Sequence, residues 1–180
     1  IMNITITEAL AEIKTVGKRL DKKKEYINGI IARQEGVKDQ LEKDGGSPAI
    51  ISRERQAIED LEERVVTLRR GIQRANEATV VAINGKARSI ADWLVWRRDV
   101  APNKQKFLQH TRAVLLKLRE DARRQGQNMI SASAIAEKPT DIIVNIDEGA
   151  LAKEIEMLED TLGTLDGQLS LKNATVSILD

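Results

Sequence analysis

SPAIISRERQAIEDLEERVVTLRRGIQRAN, residues 47–76, decides the fold class. Its apolar seam runs Ile51, Ile58, Leu61, Val65, Leu68, Ile72 and Ala75, with Glu54 alone out of place. The steps alternate between three and four residues, the spacing that keeps a narrow stripe on one side of a helix. Arg53, Arg55, Glu59, Asp60, Glu62, Glu63, Arg69, Arg70 and Arg74 fill the rest. A thin apolar stripe on an otherwise charged helix requires a partner helix. Ser47 suits an N-cap, and Pro48 suits the first helical turn because its missing N–H is no loss there.

Working outward, Thr5-Ile6-Thr7-Glu8 reads as a capping box that opens a first helix over about 5–35. Its seam at 6, 10, 13, 17, 20, 24, 27 and 31 is interrupted by Gly17 and Lys24, and Gly36 is the expected stop. The second helix covers about 48–76. Beyond it Thr79-Val80-Val81-Ala82-Ile83 is β-branched, and Asn84-Gly85 is a favoured two-residue turn, which predicts a hairpin over about 79–88. Ser89 caps a third helix over 89–125, with a break or kink expected near Val100-Ala101 because Pro102 lies inside it. Its apolar set is Phe107, Leu108, Val114, Leu115 and Leu118.

The Ser/Ala/Gln-rich stretch 126–141 reads as a loop, and Ile142–Ile146 as a strand candidate. Asp147 caps a fourth helix over 147–173, whose seam is Leu151, Ile155, Leu158, Leu162, Leu165 and Leu169. Four extended pieces, 2–4, 79–88, 142–146 and 175–179, are expected to form one small sheet at an end of the bundle. The prediction is a mainly α chain of long antiparallel helices, a helical bundle or coiled-coil hairpins with a small β-hairpin. It forms a single helical domain over 1–180.

Composition agrees. In 180 residues, 41% are hydrophobic and only 2% aromatic, which suits elongated helices better than sheets. The absence of Cys excludes disulfides, thiolate zinc sites and cysteine nucleophiles, and a single His, His110, excludes multi-histidine metal sites within one chain. No window is apolar for long enough to span a membrane, and the N-terminal residues lack a secretory pattern. The expected location is the cytoplasm of a bacterium or a phage-infected host, with association with a virion as the other option.

Net charge is only +1, but it is unevenly spread. Residues 97–126 carry nine basic and three acidic side chains, and residues 127–180 carry three basic and ten acidic. The third helix is therefore basic and the fourth acidic, which makes them natural neighbours within one chain or between subunits.

Several short motifs carry a resemblance. They are Thr7-Glu8-Ala9-Leu10, then Arg74-Ala75-Asn76 with Thr79, and Asn84-Gly85 followed by Ser89-Ile90-Ala91-Asp92 and Arg98-Asp99. Leu165-Asp166 with Asn173 in the last helix completes the set. Together they resemble small prokaryotic and phage proteins labelled septicolysin-like. The resemblance implies a helical fold with a small β element and homo-oligomeric assembly. The label also implies a cytolysin, which this sequence does not support because no segment is apolar enough to insert.

Chemistry-bearing residues are few. His110 lies among Gln109, Thr111 and Arg112, with no nucleophile and orienting acid at recognisable spacing. The pairs Glu62/Glu63 and Glu159/Asp160 lack the Glu-x-x-His spacing of helical carboxylate metal sites and read as solvated faces. Asp44-Gly45-Gly46-Ser47-Pro48 lacks the phosphate-loop spacing and reads as a helix connection. The informative set is basic: Arg70, Arg74, Arg88, Arg97 and Arg98 around Trp93. Arginines beside an indole face can hold a phosphate or a nucleobase. The plainer reading pairs these arginines with nearby acids and puts the tryptophans in the core. Balanced charge argues against nucleic acid as a partner.

The expected function is a non-enzymatic homo-oligomeric helical assembly protein, a phage or bacterial structural or accessory component. Its partner would be itself, with no membrane, cofactor or metal. The alternative is an oligomer that sequesters a small phosphorylated ligand such as a nucleotide signal.

Overall fold

Helix α1 (Ile6–Gly29) starts where Thr5 dictates. The Thr5 hydroxyl accepts from the Glu8 amide at 3.2 Å, and the Glu8 carboxylate accepts from the Thr5 amide at 2.7 Å, which completes the expected capping box. The helix ends at Gly29, well before the expected stop near residue 35. Asn28 and Gly29 are both poor helix formers, and Ile31, the next residue of the seam, is exposed.

Helix α2 (Ser47–Ala78) follows a looped connection containing a short 3₁₀ turn at Glu42–Asp44. Ser47 is not its cap, contrary to expectation. Gly46 holds that position with φ 87°, a left-handed conformation open to glycine. Capping comes from Asp39, whose carboxylate accepts from the Ser47 amide and hydroxyl, both at 2.7 Å, and from the Leu41 amide at 3.0 Å. These donors hold the Asp39 carboxyl below its ordinary range.

Beyond α2 come β1 (Val80–Ile83), β2 (Lys86–Ser89), α3 (Ile90–Val95) and α4 (Ala101–Arg124). Strands β3 (Met129–Ser131) and β4 (Ile142–Val144) and helix α5 (Glu148–Thr175) complete the chain. The computed structural model describes residues 4–178. It is mainly α with a small β-hairpin, the predicted class. The described residues fall into two compact units. One contains those up to Thr79 and from Leu169 on, and the other is Val80–Gln168.

In the first unit α1 and α2 lie antiparallel. Ile6, Ala9, Leu68, Ile72 and Ala75 form its core, with Ile4, Ile13, Val176 and Ile178 packed against it. An isolated antiparallel bridge joins Thr5 to Ser177, flanked by bonds from the Ile6 amide to Val176 O and from the Ile178 amide to Ile4 O. Away from that core the seam is held by ions. Glu54, the residue out of place in the second seam, accepts from Lys23 at 2.7 Å, and Lys24, which breaks the first, donates to Glu62 at 3.2 Å. Arg64 grips both carboxylate oxygens of Glu12.

In the second unit the expected hairpin forms, with Val80 opposite Ser89 and Ile83 opposite Lys86. Asn84 and Gly85 have φ of 48° and 78°, the mirror-image turn that their identities predict. The interruption expected at the proline is there, and it takes the form of a widened turn. Residues Trp96–Val100 are π-helical, and the Ala101 amide donates to Trp96 O, five residues back. Pro102 has no N–H and its ring crowds the preceding turn, so one extra residue per turn makes room for it. Leu108, Leu115, Leu151 and Leu158 then pack α4 antiparallel against α5.

Among the described residues the pieces do not join into the single expected sheet. The hairpin is one two-stranded sheet, and β4 pairs in parallel with β3. The stretch 126–141 therefore contains a strand as well as a loop. The small apolar run Met129-Ile130 supplied too few residues to be recognised without its partner. Residues 2, 3 and 179 of the expected outer strands lie outside the described residues.

Candidate functional site

The hairpin and the two tryptophans pack together in the second unit. Alternation along β1 buries Val81 and Ile83. Ser89 caps α3 by accepting from the Asp92 amide at 3.0 Å, which fixes the direction in which the helix leaves the hairpin. That direction carries Trp93 back onto β1, where its indole N–H donates to Val81 O at 2.9 Å. Trp96 meets Trp93 edge to face, with ring centres 5.4 Å apart. The Arg88 guanidinium sits 5.1 Å from the Trp93 ring centre.

The tip of the hairpin is pinned to α5. Asn84 Nδ2 donates to Thr161 Oγ1 at 2.9 Å and to Asp160 Oδ2 at 3.2 Å. Thr161 is buried, and its own hydroxyl donates to Met157 O at 2.7 Å, so its polar atom is fully used. Neither residue stood out in the sequence for this contact. Asn84 was legible only as a turn residue, and Thr161 is off the leucine seam.

The predicted arginines are distributed as follows. Arg88 lies on Trp93. Arg97 pairs with Asp166 at 2.7 Å. Arg98 forms a two-pronged pair with its neighbour Asp99, both contacts at 2.8 Å. Hydrogen bonding and attraction in this pair raise Arg98 above its ordinary pKa and lower Asp99 below its own. Arg70 and Arg74 are exposed on α2, in the other unit. Trp93 is only 2% exposed, so it presents no open ring face on which a base could stack.

Two clefts adjoin this region's helices. One, of about 310 Å³, lies between α4 and α5, walled by Leu115, Leu116, Leu151 and Ile155 with Arg112 beside them. The other, of about 600 Å³, follows β3, β4 and the start of α5. The Arg119–Glu148 ion pair borders both. Among the described residues no three His, Asp or Glu side chains come together to hold a metal ion. His110 is exposed on α4 and makes no hydrogen bond or ion pair with any described residue.

Helix α4 has a second notable feature. It buries only Ala101, Leu108, Leu115 and Ala122, one residue per heptad. On the adjacent side Phe107, Val114 and Leu118, together with Val100 just before the helix, stay 40–66% exposed. Sequence placed Phe107, Val114 and Leu118 in one apolar set with Leu108 and Leu115, because two neighbouring seven-residue lines look like one broad face.

The sequence matches no protein-family model, and no curated protein matches it. A crystal structure of a functionally unknown conserved protein from Corynebacterium diphtheriae is similar over 98% of this chain and 99% of that one. The TM-score is 0.52 at 19% identity, a likeness of fold. No described helix is long and apolar enough to cross a membrane.

Proposed function

We propose that this chain is a non-enzymatic, homo-oligomeric helical assembly protein, a structural or accessory component of a bacterium or phage that works in the cytoplasm or with a virion. The observation that carries the reading is the exposed apolar line of α4. Phe107 is 66% exposed, and Val100, Val114 and Leu118 lie exposed on the same side of the helix. A line of this kind is costly to keep in water and is satisfied by another helix. The earlier resemblance to septicolysin-like proteins belongs to the same proposal. Light scattering at micromolar concentration should give a clean multiple of 20.0 kDa. A monodisperse 20.0 kDa species would remove the reading.

Capture of a small phosphorylated ligand is the second reading. It is supported by Arg88 on Trp93, a cation already seated on an aromatic ring and without an ion pair among the described residues. Engagement of Arg97 and Arg98 by Asp166 and Asp99 weighs against it. A thermal-shift screen with nucleotides and cyclic dinucleotides at 100 times a micromolar Kd tests it, since binding there adds about 2.7 kcal/mol. No shift with any of them would exclude it.

A further inference from the structure

Helices α4 and α5 neutralise only part of each other's charge. Arg97, Lys104 and Arg119 pair with Asp166, Glu154 and Glu148. Lys106 and Lys117, beside the exposed Val100–Leu118 line of α4, have no acidic partner among the described residues. On α5 the face turned away from Leu151, Leu158 and Leu165 is equally unfinished. Glu156 on that face, and Glu159 at its border with α4 beside Leu108, have no basic partner among the described residues, and both are exposed. The same face contains Gly163 and Gly167, one turn apart, where an added Cβ would meet nothing within 4 Å. Nothing inside the chain calls for glycine there, and glycine weakens a helix.

We infer that a second copy of this chain docks on α4, laying the acidic, glycine-bearing outer face of its α5 against the Val100, Phe107, Val114 and Leu118 ridge. Three observations point to that occupant over any other. The ridge is bordered by unpaired lysines and the opposing face and its border bear unpaired glutamates, so the charges are complementary. Val100 and Leu118 are 18 positions apart on the ridge, and Gly149 and Gly167 are 18 positions apart on α5, about 27 Å in each case. The bulky side chains of the ridge meet a stretch of α5 where Gly163 and Gly167 carry none, so the axes can approach closely there. The two surfaces are different patches of one chain, so the contact is head-to-tail. Each docked copy leaves one free ridge and one free face, and the assembly closes as a ring or extends as a filament.

This docking rests on the assembly reading above, and the experiment separates the two. Two surface variants are made, Phe107→Glu to spoil the ridge and Gly163→Gln with Gly167→Gln to fill the groove. All these sites are exposed, and circular dichroism checks that each variant is folded. Mass is then measured by sedimentation for the natural chain, each variant, and their equimolar mixture. The docking predicts a multiple of 20.0 kDa for the natural chain, monomers for both variants, and a 40 kDa pair in the mixture, because each variant keeps the surface the other has lost. If the natural chain assembles but the variants assemble equally well, the docking is wrong while the assembly reading stands. A groove variant that still self-associates through its intact ridge, while the ridge variant does not, also overturns the docking, because the ridge would then meet another ridge. A monomeric natural chain overturns both.

Discussion

Single side chains in this protein hold junctions between elements. Asn84 combines a left-handed turn conformation with the bond to buried Thr161. Replacing it separates the two roles. Asn84→Gly should lose only the side-chain bond, roughly 0.5–1.5 kcal/mol by urea unfolding. Asn84→Ala should lose that bond and also strain the backbone by about 1–2 kcal/mol more. Equal losses in the two variants would mean that the turn carries no strain. Asp39 is the second such junction, holding the loop and the start of α2 through three donors. Its carboxyl is held below the ordinary value, as are Glu8, Glu12 and Asp141, each by hydrogen bonds to its charged form. The native state therefore binds fewer protons than the unfolded chain in mild acid, so stability rises with pH there. It should be intact above the ordinary carboxylate range, near 3.9–4.3, and fall away as the pH drops through and below it. Asp39→Asn should lower the urea midpoint at neutral pH and flatten its decline between pH 5 and 2. An unchanged slope would show that Asp39 does not contribute to it.

At the scale of elements, the α4–α5 pair shows which part of a helix face does the packing. Leu158 is 5% exposed within the α5 seam, whereas Leu162 is only half-buried beside it. Leu158→Ala should therefore cost about 2–5 kcal/mol and Leu162→Ala less, with Glu159→Ala near zero. Thermal melts of the three would rank them, and parity between Leu158→Ala and Glu159→Ala would mean that α5 is not packed as described. Glycines on the far side of the same helix give the opposite sign. Gly163→Ala, made in a monomeric Phe107→Glu background, should stabilise α5 by about 0.4–1 kcal/mol, because the space is open and the unfolded chain loses freedom. The element types were legible in the sequence, because capping residues and periods act locally. Thr5, Ser89 and Asp147 all cap as their identities predict, with Asp147 accepting from the Ala150 amide at 3.0 Å. The end of α1 at Asn28-Gly29 was passed over although its signal is local, whereas the cap of α2 depends on Asp39 eight positions before Ser47 and strand β3 on its partner β4.

For the molecule as a whole, the candidate site was the least legible part. The sequence pointed to arginines around Trp93, and the indole proved to be core, bonded to Val81 O and covered by Arg88. Arg97 and Arg98 have acidic partners, one of them adjacent in sequence and the other 69 positions away at Asp166. If subunits assemble through α4 and α5, the melting temperature should rise with protein concentration, and added salt should reduce the measured mass by screening the lysines and glutamates. Mass that does not depend on salt would show that charge has no part in the contact.

The amino-acid sequence by itself determined which segments are helices, where the hairpin turns, and that helix 97–126 is basic and its successor acidic. These features follow from bonds and periods spanning a few residues. Only the tertiary structure decided which of two adjacent heptad lines on α4 is buried. Leu108 and Leu115 face Leu151 and Leu158, while Phe107 and Val114 one position earlier are left in solvent. Periodicity fixes the angles between side chains around one helix, and a neighbouring helix is needed to fix which of those angles points into a core.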